Sequence, residues 1–170
     1  MRIETERLTL DLHGVEDFDD FAAMWLDPET VRFIGGKVGT RQDCWTRLLR
    51  YRGLWPLLGY GYWAVHEKAS GRFAGDIGFA DFHRATDPSI EGIPEAGWVL
   101  ASWARGKGYA HEALTAACAW LDRQGFAESV CIIDPANTPS LRLADRLGYG
   151  APRPLKIGEE TITLFTRPRA

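Results

Sequence analysis

Alternation of apolar and polar residues along the chain predicts most of its strands. Between Arg7 and His13, leucine occupies every second position, as expected for a strand that is buried on one face. Two segments rich in aromatic and branched residues follow, and Gly71 lies in the turn that joins them. Together with four further apolar segments, these predict seven strands, at 7–13, 61–67, 73–82, 95–100, 129–133, 149–154 and 160–166.

A second pattern, with apolar residues three and four positions apart, predicts four helices, at 16–26, 41–55, 110–124 and 138–147. Thr40 and Asp43 have the spacing of a capping box at the start of the second helix, and Pro56 is expected to stop it. The order of elements predicts an α/β (α+β) fold. Its mixed, mainly antiparallel sheet would have about seven strands flanked by about four helices.

Composition places the chain among ordinary globular domains. Its 170 residues are 45% hydrophobic and 25% charged, which suits a single domain spanning 1–170. The net charge of −3 gives no general affinity for nucleic acid or for an anionic membrane. No signal peptide or membrane span is recognisable, and the three cysteines (Cys44, Cys118 and Cys131) are expected to be buried thiols. We therefore expect a cytoplasmic protein.

A loop with two glycines and two cations lies between the predicted strand at 95–100 and the third helix. A helix N-terminus presents unpaired backbone N–H groups, and glycine lets a ligand approach them closely. The loop is therefore expected to bind an anion, most plausibly a phosphate or pyrophosphate. Alternatively, Gly106 and Gly108 are ordinary loop residues with no part in binding. Likewise, Arg105 and Lys107 could be solvated surface cations.

Other nucleotide-binding and catalytic motifs do not fit. A P-loop would need glycine at Ala101 and serine or threonine at Gly108. A dinucleotide fingerprint starting at Gly106 would need glycine at His111. The four histidines have no ligand-spaced partners, so no metal is expected, and no Gly-x-Ser-x-Gly nucleophile motif is present.

The loop resembles the acyl-coenzyme A loop of the GNAT superfamily of N-acetyltransferases. The family pattern Gln/Arg-x-x-Gly-x-Gly/Ala is met by Arg105, Gly108 and Ala110. Three more segments resemble the ribosomal-protein N-acetyltransferase (RimJ/RimL-like) branch, and the likeness covers essentially the whole chain. They are Thr5-Glu6-Arg7-Leu8, Gly97-Trp98-Val99-Leu100, and Asn137-Thr138-Pro139-Ser140 with Leu147-Gly148-Tyr149.

This resemblance implies acetyl-coenzyme A as the acyl donor, with no metal. The pantetheine arm would lie along the strand at Trp98, Val99 and Leu100, with Asn137 as a further contact or, alternatively, a helix cap. The pyrophosphate would bind the backbone amides of the loop and of the first helical turn, namely Arg105, Gly106, Lys107, Gly108, Tyr109 and Ala110.

The resemblance also implies two catalytic residues. Many family members protonate the leaving thiolate with a tyrosine, but Ala144 stands at that position, so Ser140 is the expected acid. Glu95 matches the strand glutamate that would act as base, directly or through water. Ordinary structural roles stay open, as a first-turn hydroxyl for Ser140 and as a strand-edge carboxylate for Glu95. The dipole of the third helix explains Glu112.

The expected reaction is acetyl transfer to a primary amine by direct attack in a ternary complex. Deprotonating an α-amine at pH 7 costs about 1 kcal/mol against roughly 4.6 kcal/mol for lysine, which favours an α-amine where no strong base is evident. The acceptor could be a protein N-terminus or a small molecule, and Trp25, Trp45 and Trp55 are candidates to wall its pocket. Exposed strand edges would allow a homodimer. Because Ala144 replaces the usual acid, a non-catalytic acyl-coenzyme A or anion-binding module is the alternative.

Overall fold

One mixed sheet of nine strands organises the protein, whose computed structural model describes residues 1–170. The strands are β1 (Ile3–Glu4), β2 (Leu8–Asp11), β3 (Tyr62–Glu67), β4 (Phe73–Ala80), β5 (Thr86–Asp87), β6 (Glu95–Leu100), β7 (Glu128–Ile133), β8 (Gly150–Ile157) and β9 (Glu160–Pro168). They lie in the order β1-β2-β3-β4-β6-β7-β9-β8-β5, and every neighbouring pair except β6–β7 is antiparallel. The predicted α/β class is confirmed. The two strands beyond the predicted seven are β1 and β5, whose two residues are too few to produce a recognisable alternation.

Five α-helices flank the sheet, namely α1 (Phe18–Trp25), α2 (Pro28–Val31), α3 (Arg41–Leu58), α4 (Tyr109–Arg123) and α5 (Thr138–Arg146). The capping box of Thr40 and Asp43 is present at the start of α3. The prediction that Pro56 stops this helix is wrong, because α3 continues to Leu58. Proline removes one donor near the helix end, and the N–H of Gly59, at φ 77°, still closes the last turn on Trp55 O at 3.0 Å.

Two hydrophobic cores lie on opposite faces of the sheet. The core on the α4–α5 face contains Trp63, Ile77 and Leu114. The core on the α1–α3 face contains Phe21 and Leu48, among others. Strand β4 lies between these cores, so that all eight of its residues are buried although they alternate between the two faces.

The parallel neighbours β6 and β7 separate almost as soon as they meet. They pair at Glu95 and Val130 only, and the adjoining hydrogen bond runs from Val130 N to Pro94 O at 3.0 Å. Backbone polar groups alternate sides along a strand, so those of Ala96, Trp98 and Leu100 face the same side as Pro94 O. The Ala96 N–H completes the pair with Val130, and the groups of Trp98 and Leu100 beyond it line an opening between the strands, which begins near the start of β6.

Candidate active site

The loop before α4 forms a cradle of unpaired backbone donors. Gly106 and Gly108 both adopt left-handed conformations, with φ of 75° and 81°, and Gly108 is the N-cap of α4. No hydrogen bond within the chain uses the backbone N–H groups of residues 106–111, since the bonded amides on either side are those of Arg105 and Glu112. Several free donors at the positive end of a fifteen-residue helix fit a pyrophosphate without any side chain.

The two cationic side chains of this loop are directed toward the protein. The Arg105 guanidinium donates to Leu100 O at 3.1 Å and to Thr30 Oγ1, and it lies 3.8 Å from an Asp27 carboxylate oxygen. Lys107 Nζ lies 4.6 Å from the centre of the Trp103 ring. Neither side chain is a freely solvated cation. The backbone amides are therefore the donors of this loop that remain free for an anion.

Residues from the N-terminus brace the same loop. Glu112 accepts hydrogen bonds from Thr5 Oγ1 at 2.6 Å and from Arg7 Nε at 2.7 Å. Burial raises the pKa of Glu112, but these bonds outweigh burial and hold the pKa below its usual value. Arg7 also donates to Lys107 O at 3.0 Å, and its guanidinium lies 4.8 Å from the centre of the Tyr109 ring. The sequence pattern indicates only the helix dipole for Glu112 and gives no sign of the contacts of Arg7, although Arg7 lies in the segment that resembles the family's opening motif.

Trp98 and Ser140 meet across the α4–α5 side of the opening. The indole Nε1 of Trp98 donates to Ser140 Oγ at 3.2 Å, which leaves the serine proton free for another acceptor. Asn137 is the N-cap of α5, because its Oδ1 accepts from Ser140 N at 3.3 Å. Ala144 is buried on the inner face of α5 and offers no hydroxyl. Ser140 is thus the one residue among these three that has a hydroxyl proton.

Glu95 begins β6 beside the apex of the opening. It is 7% exposed and is hydrogen-bonded by the Arg84 guanidinium. The Nε of Arg84 is buried without a partner. Glu95 and Ser140 make no contact with each other, because Glu95 is directed to the α1–α3 face and Ser140 lies beside Trp98 on the opposite face. An amine approaching Glu95 would compete with Arg84 for the carboxylate.

A buried polar cluster on the α1–α3 face was not foreseen from the sequence. Asp76 on β4 is bonded to His13 Nε2 at 2.6 Å and accepts from Trp25 Nε1 at 2.9 Å. Trp45 packs against Phe18 on this side. Residues from three separate segments form the cluster, and no local spacing in the chain signals it.

Trp55 lies apart from the other two tryptophans that were considered for the acceptor wall. Its ring packs against Trp63 and Trp120, in the core on the α4–α5 face. Its Nε1 donates to Tyr62 O at 3.0 Å. Trp55 therefore contributes to packing on this face, whereas Trp25 and Trp45 lie on the α1–α3 side.

Metal-binding groups and membrane-spanning helices are the last two features to consider. No group of three or more His, Cys, Asp or Glu side chains is arranged to hold a metal ion. None of the helices combines the length and the apolar content needed to cross a membrane.

Comparison with known proteins defines the family. The model of the acetyltransferase (GNAT) domain family matches residues 7–150, so the chain belongs to the GNAT acetyltransferase family. This family uses acetyl-coenzyme A. The resemblance of the chain to the GNAT superfamily is thereby confirmed.

Individual relatives agree with this assignment. A structure described as a GNAT-family acetyltransferase from Bordetella pertussis is 32% identical with a TM-score of 0.85, covering 98% of this chain and 99% of that one. The uncharacterized protein YkkB of Bacillus subtilis (strain 168) is 26% identical over 98% of this chain and 95% of its own length. A ribosomal L7/L12 α-N-protein acetyltransferase (RimL) in complex with coenzyme A shares the fold. Its TM-score is 0.77 at 15% identity, covering 99% and 98% of the two chains.

Proposed function

We propose that this protein is an N-acetyltransferase that transfers the acetyl group of acetyl-coenzyme A to a primary amine. The observation that carries the proposal is the opening between β6 and β7, which leads directly to the loop of unpaired amides before α4. An extended, amide-bearing donor arm that ends in a pyrophosphate matches both halves of this site.

In this proposal the donor lies along β6 and ends at the loop. The pantetheine amides bond to the outward-facing backbone groups of Trp98 and Leu100, on either side of Val99. The pyrophosphate binds the amides between Gly106 and Ala110, including those of Lys107, Gly108 and Tyr109. Arg105 positions the loop through its side chain, and Asn137 can donate its free Nδ2 amide to the arm while its Oδ1 keeps the cap on α5.

The amine attacks the thioester carbon directly within the ternary complex. Glu95 accepts the proton that the amine loses, through water where Arg84 occupies the carboxylate. A new C–N bond forms, the C–S bond breaks, and the departing thiolate takes the hydroxyl proton of Ser140, which is replaced from solvent. The family supplies the acetyl-coenzyme A chemistry, and these residues supply orientation and proton transfer.

Two observations support the choice of an amine acceptor. The RimL structure is of a protein that acts on an α-amine of ribosomal L7/L12, and it shares the fold of this chain. Glu95 is the buried carboxylate near the opening, and it is already paired with Arg84. A protein N-terminal α-amine or a small-molecule amine suits a site of this kind. We propose an α-amine acceptor in particular, because an α-amine needs less help to lose its proton.

Two measurements test the proposal. Acetyl-coenzyme A should raise the melting temperature, with about 2.7 kcal/mol of stabilisation at a hundredfold excess over its dissociation constant. A panel of peptide N-termini, polyamines and amino-acid analogues should then show which acceptor releases free thiol. A melting temperature that millimolar acetyl-coenzyme A does not change would contradict the proposal.

A non-catalytic acyl-coenzyme A-binding module is the second candidate, and Ala144 is the observation that favours it. The two candidates differ in one outcome. The binding module would be stabilised by acetyl-coenzyme A yet release no thiol with any acceptor, whereas the enzyme would do both.

A further inference from the structure

Two glycines, Gly78 on β4 and Gly97 on β6, leave room for the Tyr62 side chain to extend from β3 across β4 to β6. Tyr62 on β3 is opposite Gly78 on β4, which in turn is opposite Gly97 on β6. A methyl group built on Gly97 would overlap the Tyr62 phenol oxygen and lie 3.0 Å from its Cζ. The phenol oxygen therefore lies directly against the main chain at Gly97, two strands away from its own backbone.

This hydroxyl has no partner in the chain. Tyr62 is 6% exposed, and its Oη makes no hydrogen bond with another residue. The hydroxyl oxygen is not fully enclosed by the protein, so part of the small exposed surface of Tyr62 lies on this atom. Stacking on Tyr51, with centroids 4.2 Å apart and planes 5° apart, holds the ring in place. Tyr62 is thus an immobilised donor whose hydroxyl is left free beside the main chain of β6.

The position of this hydroxyl connects it with the proposed acyl donor. Gly97 lies two residues after Glu95 and presents the same face of β6, toward α1–α3. It also lies between Ala96 and Trp98, whose backbone groups face the opening. A thioester held at the start of this opening would have Ser140 on its α4–α5 side and the Tyr62 phenol on the other.

We infer that Tyr62 is a catalytic residue whose phenolic O–H donates a hydrogen bond to the thioester carbonyl oxygen as it becomes an oxyanion. This inference rests on the proposed acetyl transfer. As the amine lone pair forms the C–N bond, the carbonyl π electrons move to oxygen and the phenol stabilises the negative charge. When the C–S bond breaks, those electrons return, and the phenol keeps its proton throughout. Burial raises the pKa of Tyr62 well above its usual value, so the phenol remains a donor at neutral pH.

The Tyr62→Phe variant tests the inference, since it keeps the ring and its stacking and removes only the hydroxyl. We expect kcat to fall on the order of 10²-fold, while KM for acetyl-coenzyme A stays within about twofold because pantetheine and pyrophosphate contacts are untouched. The melting temperature should not change, because the hydroxyl makes no bond within the chain. The matched control is Tyr60→Phe, a buried tyrosine that packs against Phe126 in the other core. A Tyr62→Phe enzyme with kcat within twofold of wild type would overturn the inference.

A spectroscopic readout separates this inference from the proposed function. In difference infrared spectra with acetyl-coenzyme A labelled with ¹³C at the carbonyl, the bound stretch should lie lower in wild type than in Tyr62→Phe. Identical frequencies in the two proteins would overturn the role of Tyr62 even if the enzyme is active. A wild type that binds acetyl-coenzyme A but acetylates no amine would contradict the proposed function. The carbonyl shift would then still decide whether Tyr62 donates to the thioester. Failure of the wild type to bind acetyl-coenzyme A would overturn both.

Discussion

Arg7 Nε donates to Glu112 Oε2 at 2.7 Å although 105 positions separate the two residues. The same guanidinium bonds to Lys107 O at 3.0 Å. In a trans peptide, C=O and N–H point in opposite directions, so this contact turns the Gly108 N–H away from Arg7 and toward the open side of the loop. The N-terminal segment thus orients a main-chain donor of the proposed pyrophosphate site.

Arg7→Ala should therefore weaken acetyl-coenzyme A binding by roughly tenfold, or about 1.4 kcal/mol. The donor atoms of the loop remain in this variant, but their orientation is no longer fixed. Isothermal titration calorimetry measures the effect. Arg2→Ala is the matched control, because Arg2 lies in the same segment and pairs only with exposed carboxylates. Equal affinities for wild type and Arg7→Ala would show that the brace does not position the amides.

Gly108→Val should abolish the stabilisation by acetyl-coenzyme A. A β-branched residue is strained at φ 81°, and relief of that strain turns the amides of the loop away. Gly125→Val is the matched control, since Gly125 has φ 89° at the opposite end of α4. Thermal melts with and without the coenzyme should show destabilisation in both variants and a lost coenzyme shift in Gly108→Val alone. A retained shift would remove the phosphate assignment.

Ser140→Ala should reduce kcat by about 10²-fold or more, because general-acid assistance contributes about 10²–10⁴-fold. Steady-state kinetics on the amine identified by thiol release measures this. Trp98→Phe is the informative comparison, since it removes the indole donor and leaves the hydroxyl in place. If the two variants lose activity equally, Ser140 serves to hold Trp98 and is not the acid.

Gly97→Ala should impair turnover through Tyr62. Gly97 does not adopt a positive φ, so alanine is allowed by the backbone, and the overlap with the phenol oxygen is the principal cost. The methyl group should displace the phenol and lower kcat. In a Tyr62→Phe background the same substitution should cost much less, and a double-mutant cycle measures the difference. Additive losses would mean that Gly97 acts independently of the phenol.

The ion pair of Asp122 and Arg167 makes stability depend on acid pH. Two bonds of 2.8 and 2.7 Å join the side chains, and Arg167 holds the pKa of Asp122 below its usual value. A lowered carboxyl pKa stabilises the fold above the unfolded-state pKa of about 3.9, and this contribution is lost as pH falls through the folded-state pKa. Asp122→Asn should cost about 2 kcal/mol at pH 7.

Urea unfolding between pH 3 and 7 checks this prediction. The difference between wild type and Asp122→Asn should begin to shrink as the pH drops below about 4, where the unfolded chain takes up the proton, and continue to shrink toward the lower folded-state pKa. Asp145→Asn offers a control carboxylate on α5 that forms no ion pair within the chain. A difference that stays constant over the whole range would exclude the ion pair as its source.

Features that depend on neighbouring residues in the sequence were predictable. Leu8 and Leu10 are both fully buried, as their alternation indicates, and the Thr40–Asp43 capping box is present. The glycine loop could be placed because a strand, two glycines and a helix follow one another directly. In each case the relevant contacts lie within a few positions of one another.

Contacts between distant segments were not predictable. The phenol of Tyr62 reaches Gly97 only because three strands align, and the pairing of Arg84 with Glu95 depends on how the intervening loop folds. A residue pattern carries no direct record of such juxtapositions.

The single pair between Glu95 and Val130 also has a mechanical consequence. It divides the nine strands into a block of five and a block of four, held together by that pair and by the helices across them. A pantetheine arm in the gap between β6 and β7 would offer its amide groups to the strand backbone, much as a peptide does when it adds to a sheet edge. Hydrogen exchange at Trp98 and Leu100 should then slow when coenzyme A binds. The bound ligand would thereby connect the two blocks of strands through hydrogen bonds.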